Sequence, residues 1–96
     1  MTSHQRFLFR LGHTVTTPGA LDAMHRADVL PLTLLARHQC GDWGELDAED
    51  CAANDRAVSE GTRILSVYQV GPDREKLWVI TEWDRSATTI LCPNEY

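Results

Sequence analysis

Histidine is the side chain best suited to moving a proton near neutral pH. This chain of 96 residues has four, at His4, His13, His25 and His38. His38 follows Arg37 at the end of a leucine-rich stretch, just before a Gly-Asp-Trp-Gly loop. Hydroxyls at Ser66, Tyr68 and Thr81 on a sheet face, with the Arg85 guanidinium as an oxyanion or phosphate clamp, are groups that bind a phosphate or a nucleotide. Each of these residues also has a commoner use. A histidine closing an apolar helix is more often buried and bonded to its neighbours. Hydroxyls are what a half-exposed sheet face ordinarily carries. In the tight turn after Thr81, Asp84 would bond backbone N–H groups and Arg85 would pair with Glu82 or Asp84. Cys40 becomes a nucleophile only if His38 activates it, and residues two apart do not meet on a helix. The histidines form no HxxxH or HxH pair, so no metal site is expected. No GxSxG, P-loop, GxGxxG, HExxH or paired CxxC occurs, and no cofactor is expected either.

The elements that must position these residues follow from periodicity. Residues 6–16 (RFLFRLGHTVT) alternate, with Phe7, Phe9, Leu11, His13 and Val15 on one face, which predicts a half-buried strand. Thr17-Pro18 is a cap followed by a first helical position. It predicts a helix over 18–28 whose apolar stripe is Ala20, Leu21, Ala23, Met24 and Ala27, with His25 on the opposite, solvated side. Pro31 starts a second helix, carrying Leu32, Leu34, Leu35 and Ala36, that ends near His38. Trp43 pins the glycine-flanked loop QCGDWGELD to the body of the domain. Asp47 and Gly61 bracket a helix over 48–60. Its apolar residues are small and scattered, so it buries little. Residues 63–70, 76–83 and 87–92 read as strands of an antiparallel meander, turning at GPDRE and at Asp84-Arg85-Ser86. Ser66 and Tyr68 share one face of their strand, and Thr81 and Trp83 one face of theirs. The expected fold is one α+β domain over 1–96, with tails at 1–5 and 94–96. Its four-stranded, mostly antiparallel sheet is covered on one face by two to three helices.

Composition narrows the function classes. The chain is 43% hydrophobic and 24% charged, as ordinary folded domains are, with no run long enough to span a membrane. No secretory signal is visible, and three cysteines without CxxC spacing suit free thiols in a reducing cytoplasm. The net charge of −5 is unevenly spread. Residues 42–60 hold seven acids (Asp42, Glu45, Asp47, Glu49, Asp50, Asp55, Glu60) and one base, Arg56, leaving −6 there and +1 elsewhere. The bases are dispersed, and Lys76 is the sole lysine. Direct nucleic-acid binding, which depends on clustered Lys and Arg, is therefore disfavoured. The acidic segment is either a solvated, solubilising surface or a face that docks on a basic partner.

Leu35-Ala36-Arg37-His38, Gly41-Asp42-Trp43-Gly44, Trp78-Val79-Ile80-Thr81-Glu82, Asp84-Arg85-Ser86, Thr88-Thr89 and Pro93 together resemble a small family found in phage, plasmid and integrative-element genomes. The resemblance covers most of the chain after Thr17. It implies a mobile-element setting and hands over no catalytic residues. The order of strand, two helices and antiparallel meander is also similar to the metal-independent ribonuclease toxins of the barnase, EndoU, colicin and Rel type. That likeness implies His38, Ser66, Tyr68, Thr81 and Arg85 as the catalytic group. The acidic, lysine-poor composition departs from those enzymes.

The expectation is thus a cytoplasmic, non-enzymatic accessory protein of a mobile element that binds a basic protein surface, such as a host defence component it would inhibit. Asp42, Trp43, Glu45, Asp47, Glu49, Asp50 and Asp55 would form the contact. The alternative is a ribonuclease-like toxin. A homodimer pairing exposed strand edges, at 6–16 or 87–92, is a third course.

Overall fold

The computed structural model describes residues 6–96; the expected tail 1–5, with His4, lies outside them. In chain order the elements are β1 (His13–Thr16), α1 (Pro18–Arg26), α2 (Pro31–Gln39), α3 (Ala48–Glu60), β2 (Ile64–Val70), β3 (Glu75–Thr81) and β4 (Ala87–Leu91). A 3-10 turn, Pro93–Glu95, follows. β2, β3 and β4 form the expected antiparallel meander. β1 adds to it beside β4 in parallel, so the order is β1-β4-β3-β2 and the sheet is mixed. β4 is consequently internal, and among the described residues β1 and β2 lie at the borders.

The capping chemistry behaves as the residue types dictate. Thr17 accepts from the Ala20 N–H at the start of α1, Asp47 accepts from the Asp50 N–H at the start of α3, and Gly61 ends α3 in the left-handed region. α1 stops at Arg26 rather than residue 28, because Asp28 turns the chain at φ 58°. β3 stops at Thr81, which leaves Trp83 beyond the strand and 67% exposed.

The first strand departs most from its expected span. The alternation in 6–16 is broken at Gly12, which takes φ +66° against the backbone of Ser86. A Cβ there would sit 2.3 Å from the Ser86 carbonyl oxygen. Parity flips across it. Phe9 is buried on one side, while His13 and Val15 end up exposed on the other, opposite Ala87 and Thr89. Thr14 and Thr16 instead share the helix-covered face with Thr88 and Ile90.

That covered face holds the core. Ala20, Ala23 and Met24 of α1 and Leu34 and Leu35 of α2 pack on Tyr68, Val70, Leu77, Val79 and Ile90. A second cluster joins Phe9, Trp43, Ala57 and Ile64 at the end of the sheet nearest α3. The C-terminal residues are not a free tail. The Glu95 carboxylate accepts from the N–H groups of Gly19 (3.0 Å) and Cys92 (2.9 Å) and from the Thr17 hydroxyl (2.5 Å). It thereby completes the N-terminus of α1 from a distant part of the chain, and the same donors hold its pKa down at about 2. Tyr96 meanwhile packs edge-on to Trp78, centroids 5.6 Å apart.

Candidate functional site

Three of the five residues expected at a catalytic centre do converge. The His38 imidazole lies 2.6 Å from the Ser66 hydroxyl through Nδ1 and 2.9 Å from the Thr81 hydroxyl through Nε2. The chain of bonds continues from Thr81 to Thr88 (2.7 Å) and from Thr88 to the Leu11 carbonyl (2.8 Å). Its polarity follows from that last acceptor, because a carbonyl only accepts. Thr88 donates to Leu11 and so receives from Thr81; Thr81 in turn receives from His38 Nε2–H. Nδ1 is then the lone-pair nitrogen, and Ser66 donates to it. Every polar atom in this run is satisfied, with a neutral imidazole at its centre.

Where this group sits decides what it can do. His38, Ser66, Thr81 and Thr88 are all fully buried. Phe9 meets the imidazole edge-on at 5.2 Å and Trp43 does so at 5.9 Å. Burial, reinforced by the positive charge of Arg85, pushes the His38 pKa down to about 3. A general base must reach the proton it removes and hold it near working pH. Walled off and unable to protonate at neutral pH, His38 does neither. The constellation is a polar network inside the core.

The other two candidates have structural work of their own. Tyr68 donates to the Asp42 carbonyl at 2.5 Å and lies under the Arg37 guanidinium, 4.4 Å from its ring centroid. Burial raises its pKa. Arg85 does not pair with Glu82 or Asp84 side chains, as expected, nor does it reach into a cleft beside His38. Its Nη1 donates to the carbonyls of Thr62 (2.7 Å), Glu82 (3.1 Å) and Trp83 (3.3 Å), and its Nη2 to that of Ala57 (2.8 Å). It ties the β3–β4 turn to the C-terminal end of α3, where unpaired carbonyls favour a cation. Four backbone carbonyls thus hold the guanidinium in this turn. Asp84 does accept a turn N–H, from Ser86 at 3.0 Å.

The acidic segment divides into two groups. Asp42 binds Arg37 at 2.6 Å and accepts from the Gly44 N–H, and Arg37 lowers its pKa. Asp47 caps α3, and Asp55 accepts from the Trp43 indole at 3.0 Å. Trp43 itself is 4% exposed, so it anchors the loop and cannot be a contact residue. The assignment of Trp43 to a partner-binding surface is therefore corrected, whereas Asp42, Asp47 and Asp55 stay exposed while each accepts a hydrogen bond within the fold. Glu45, Glu49, Asp50 and Glu60 are exposed and, among the described residues, make no side-chain salt bridge.

α3 is accordingly an unusual helix. Of its 13 residues only Asn54 and Ala57 are buried, yet it is tied down along its length. The Asn54 amide brackets Leu65 of β2, donating to its carbonyl (2.7 Å) and accepting from its N–H (3.3 Å). Beside it Trp43 and Glu45 exchange backbone bonds with Val67, closing the β2 border. That approach requires Gly44, since a Cβ there would lie 1.9 Å from the Val67 carbonyl oxygen. Replacing Asn54 with alanine strands both Leu65 groups. It is expected to cost about 1–3 kcal/mol in chemical denaturation and to speed amide exchange in α3 selectively.

Thr88, Phe9 and Asn54 were missed by sequence reasoning. Thr88 had a usable signal: the short turn at Asp84-Arg85-Ser86 places it opposite Thr81. The others had none, because their partners are distant in the chain. Among the described residues no group of three His, Cys, Asp or Glu side chains is placed to hold a metal ion, and no helix is long and apolar enough to cross a membrane. Comparison of the chain with protein-family models, with curated proteins and with solved structures found no match.

Proposed function

We propose that this protein works by binding another protein through the exposed carboxylates carried on α3 and the loop before it. The observation that carries this reading is the combination just described. α3 contributes almost nothing to the core, yet it is fixed by Asp47, Asn54, Asp55 and Arg85 while displaying Glu45, Glu49, Asp50 and Glu60 without a salt bridge among the described residues. A firmly held acidic rim steers and holds a basic surface at little ordering cost. An accessory protein of a mobile element that occupies the basic face of a host defence component fits that chemistry. The ribonuclease reading finds no support in the geometry, because its proposed base is sealed in the core and its proposed clamp is bonded to four backbone carbonyls.

The test reverses only charges that the fold does not use. Glu45→Lys, Glu49→Lys and Glu60→Lys together should abolish salt-sensitive capture of the basic partner from the native host, with the circular dichroism spectrum unchanged. A control reversal at Asp73, in the β2–β3 turn, should leave capture intact. Capture that survives the triple reversal, or RNA cleavage by the purified wild-type chain, would overturn the proposal.

A further inference from the structure

The two borders of the sheet are treated differently by the chain. At β2 the loop Trp43–Glu45 and the Asn54 amide occupy the outward backbone groups of Val67 and Leu65, which is how folded proteins prevent unwanted strand pairing. At β1 nothing comparable is present among the described residues. His13 and Thr17 donate inward to Ser86 and Ile90 of the β4 side. By the alternation of a parallel ladder, the N–H and C=O groups of Thr14 and Thr16 therefore point away from the sheet. The strand reads His-Thr-Val-Thr, with no lysine, proline, bulge or charged side chain in the border itself.

We infer that β1 pairs with β1 of a second copy of this chain, antiparallel and about a two-fold axis through Val15, so that one continuous sheet runs through both subunits. The register is self-consistent. Thr14 falls opposite Thr16 of the second copy, and both such pairs exchange N–H···O=C bonds through the groups left open in the monomer. Val15 then meets its own counterpart across a non-bonded pair, where side chains approach most closely. Its side chain, 49% exposed in the single chain, becomes covered.

Charge favours a second copy as the occupant. Two chains of net charge −5 repel, but residues 42–60, which hold −6, flank the β2 border. That border lies three strand spacings, about 14 Å, from β1. The charged groups beside β1 are Arg10 at its start and the Glu95 carboxylate, held by the Thr17 hydroxyl, at its end. Self-pairing thus leaves both acidic rims facing outward at the far ends of the joint sheet. A border of 4 residues buries far less than a standard interface, so the dimer is weak, with a Kd between about 10 μM and 1 mM.

Sedimentation equilibrium of the full chain over about 5 μM to 1 mM tests this, and a reversible monomer–dimer equilibrium is expected. Val15→Lys sets two like charges face to face. Thr14→Pro removes an outward N–H without touching a β1–β4 bond. Each should weaken the dimer by at least about tenfold with far-UV circular dichroism unchanged. The triple reversal of Glu45, Glu49 and Glu60 should leave the dimer in place, which separates this inference from the partner-binding proposal. A purely monomeric chain across the range, a dimer that survives both β1 variants, or one lost with the acidic reversals would each overturn it.

Discussion

Replacing His38 with alanine is expected to lower the unfolding free energy by about 3–5 kcal/mol, among the largest single-site effects in this protein. The loss has two sources. A ring in contact with Phe9 and Trp43 is removed from a fully buried site, leaving a cavity. Ser66 also loses its acceptor and Thr81 its donor, with no solvent to replace either. Denaturant titration of the purified variant measures it, and a cost under about 1 kcal/mol would mean that the network contributes little.

The same residue predicts a pH dependence whose sign follows from burial. In the folded chain His38 titrates at about 3, whereas the free side chain titrates at 6.5. Below pH 6.5 the unfolded state binds a proton that the folded state refuses. The stability this neutral histidine allows is therefore complete above 6.5 and declines as the pH falls towards 3. The expected slope approaches about 1.4 kcal/mol per pH unit. His38→Gln keeps a donor and an acceptor but cannot titrate. Its stability should be flat between pH 6.5 and about 5, above the range in which carboxylates protonate. A slope that persists in that variant belongs to another group.

The second large effect is at Arg85. Its backbone takes φ 61°, a left-handed conformation that costs a residue bearing a Cβ about 1–2 kcal/mol. The strain is offset by four carbonyl acceptors and by contact with the Phe9 ring, 5.6 Å from the guanidinium carbon. Arg85→Ala keeps the strain and loses the bonds, for an expected loss of about 2–4 kcal/mol. Arg85→Gly loses the same bonds but relaxes the backbone, so it should be more stable than the alanine variant by about 1 kcal/mol. Arg85→Lys should rescue little, because one ammonium cannot span acceptors on α3 and on the turn together. Thermal unfolding of the three variants gives the order. Equal stability of the alanine and glycine variants would show that φ is not strained.

Much of the fold was legible without coordinates. The helix starts at Thr17-Pro18 and Asp47, the stop at Gly61, and the three-strand meander are local matters, decided within a few residues by capping geometry, φ preference and period-two patterning. The α+β class follows from them, and so does the sparse burial of α3, whose apolar residues never line up on one side. The uneven charge was equally readable, since it is a count along the chain.

What the chain could not announce from residue types alone was which polar groups would find one another. His38 could have been a base or a core residue; the depth of Ser66, Thr81 and Thr88 around it, set by strand register and by the packing of α2, made it the latter. Arg85 could have faced a cleft; a left-handed turn aimed it at the end of α3 instead. The parallel placement of β1 and the flip of its exposed face at Gly12 likewise depend on Ser86, 74 positions further along the chain. Local sequence sets propensities over a few residues, whereas the dielectric and the partners around a side chain come from segments far away, and only the assembled fold brings those together.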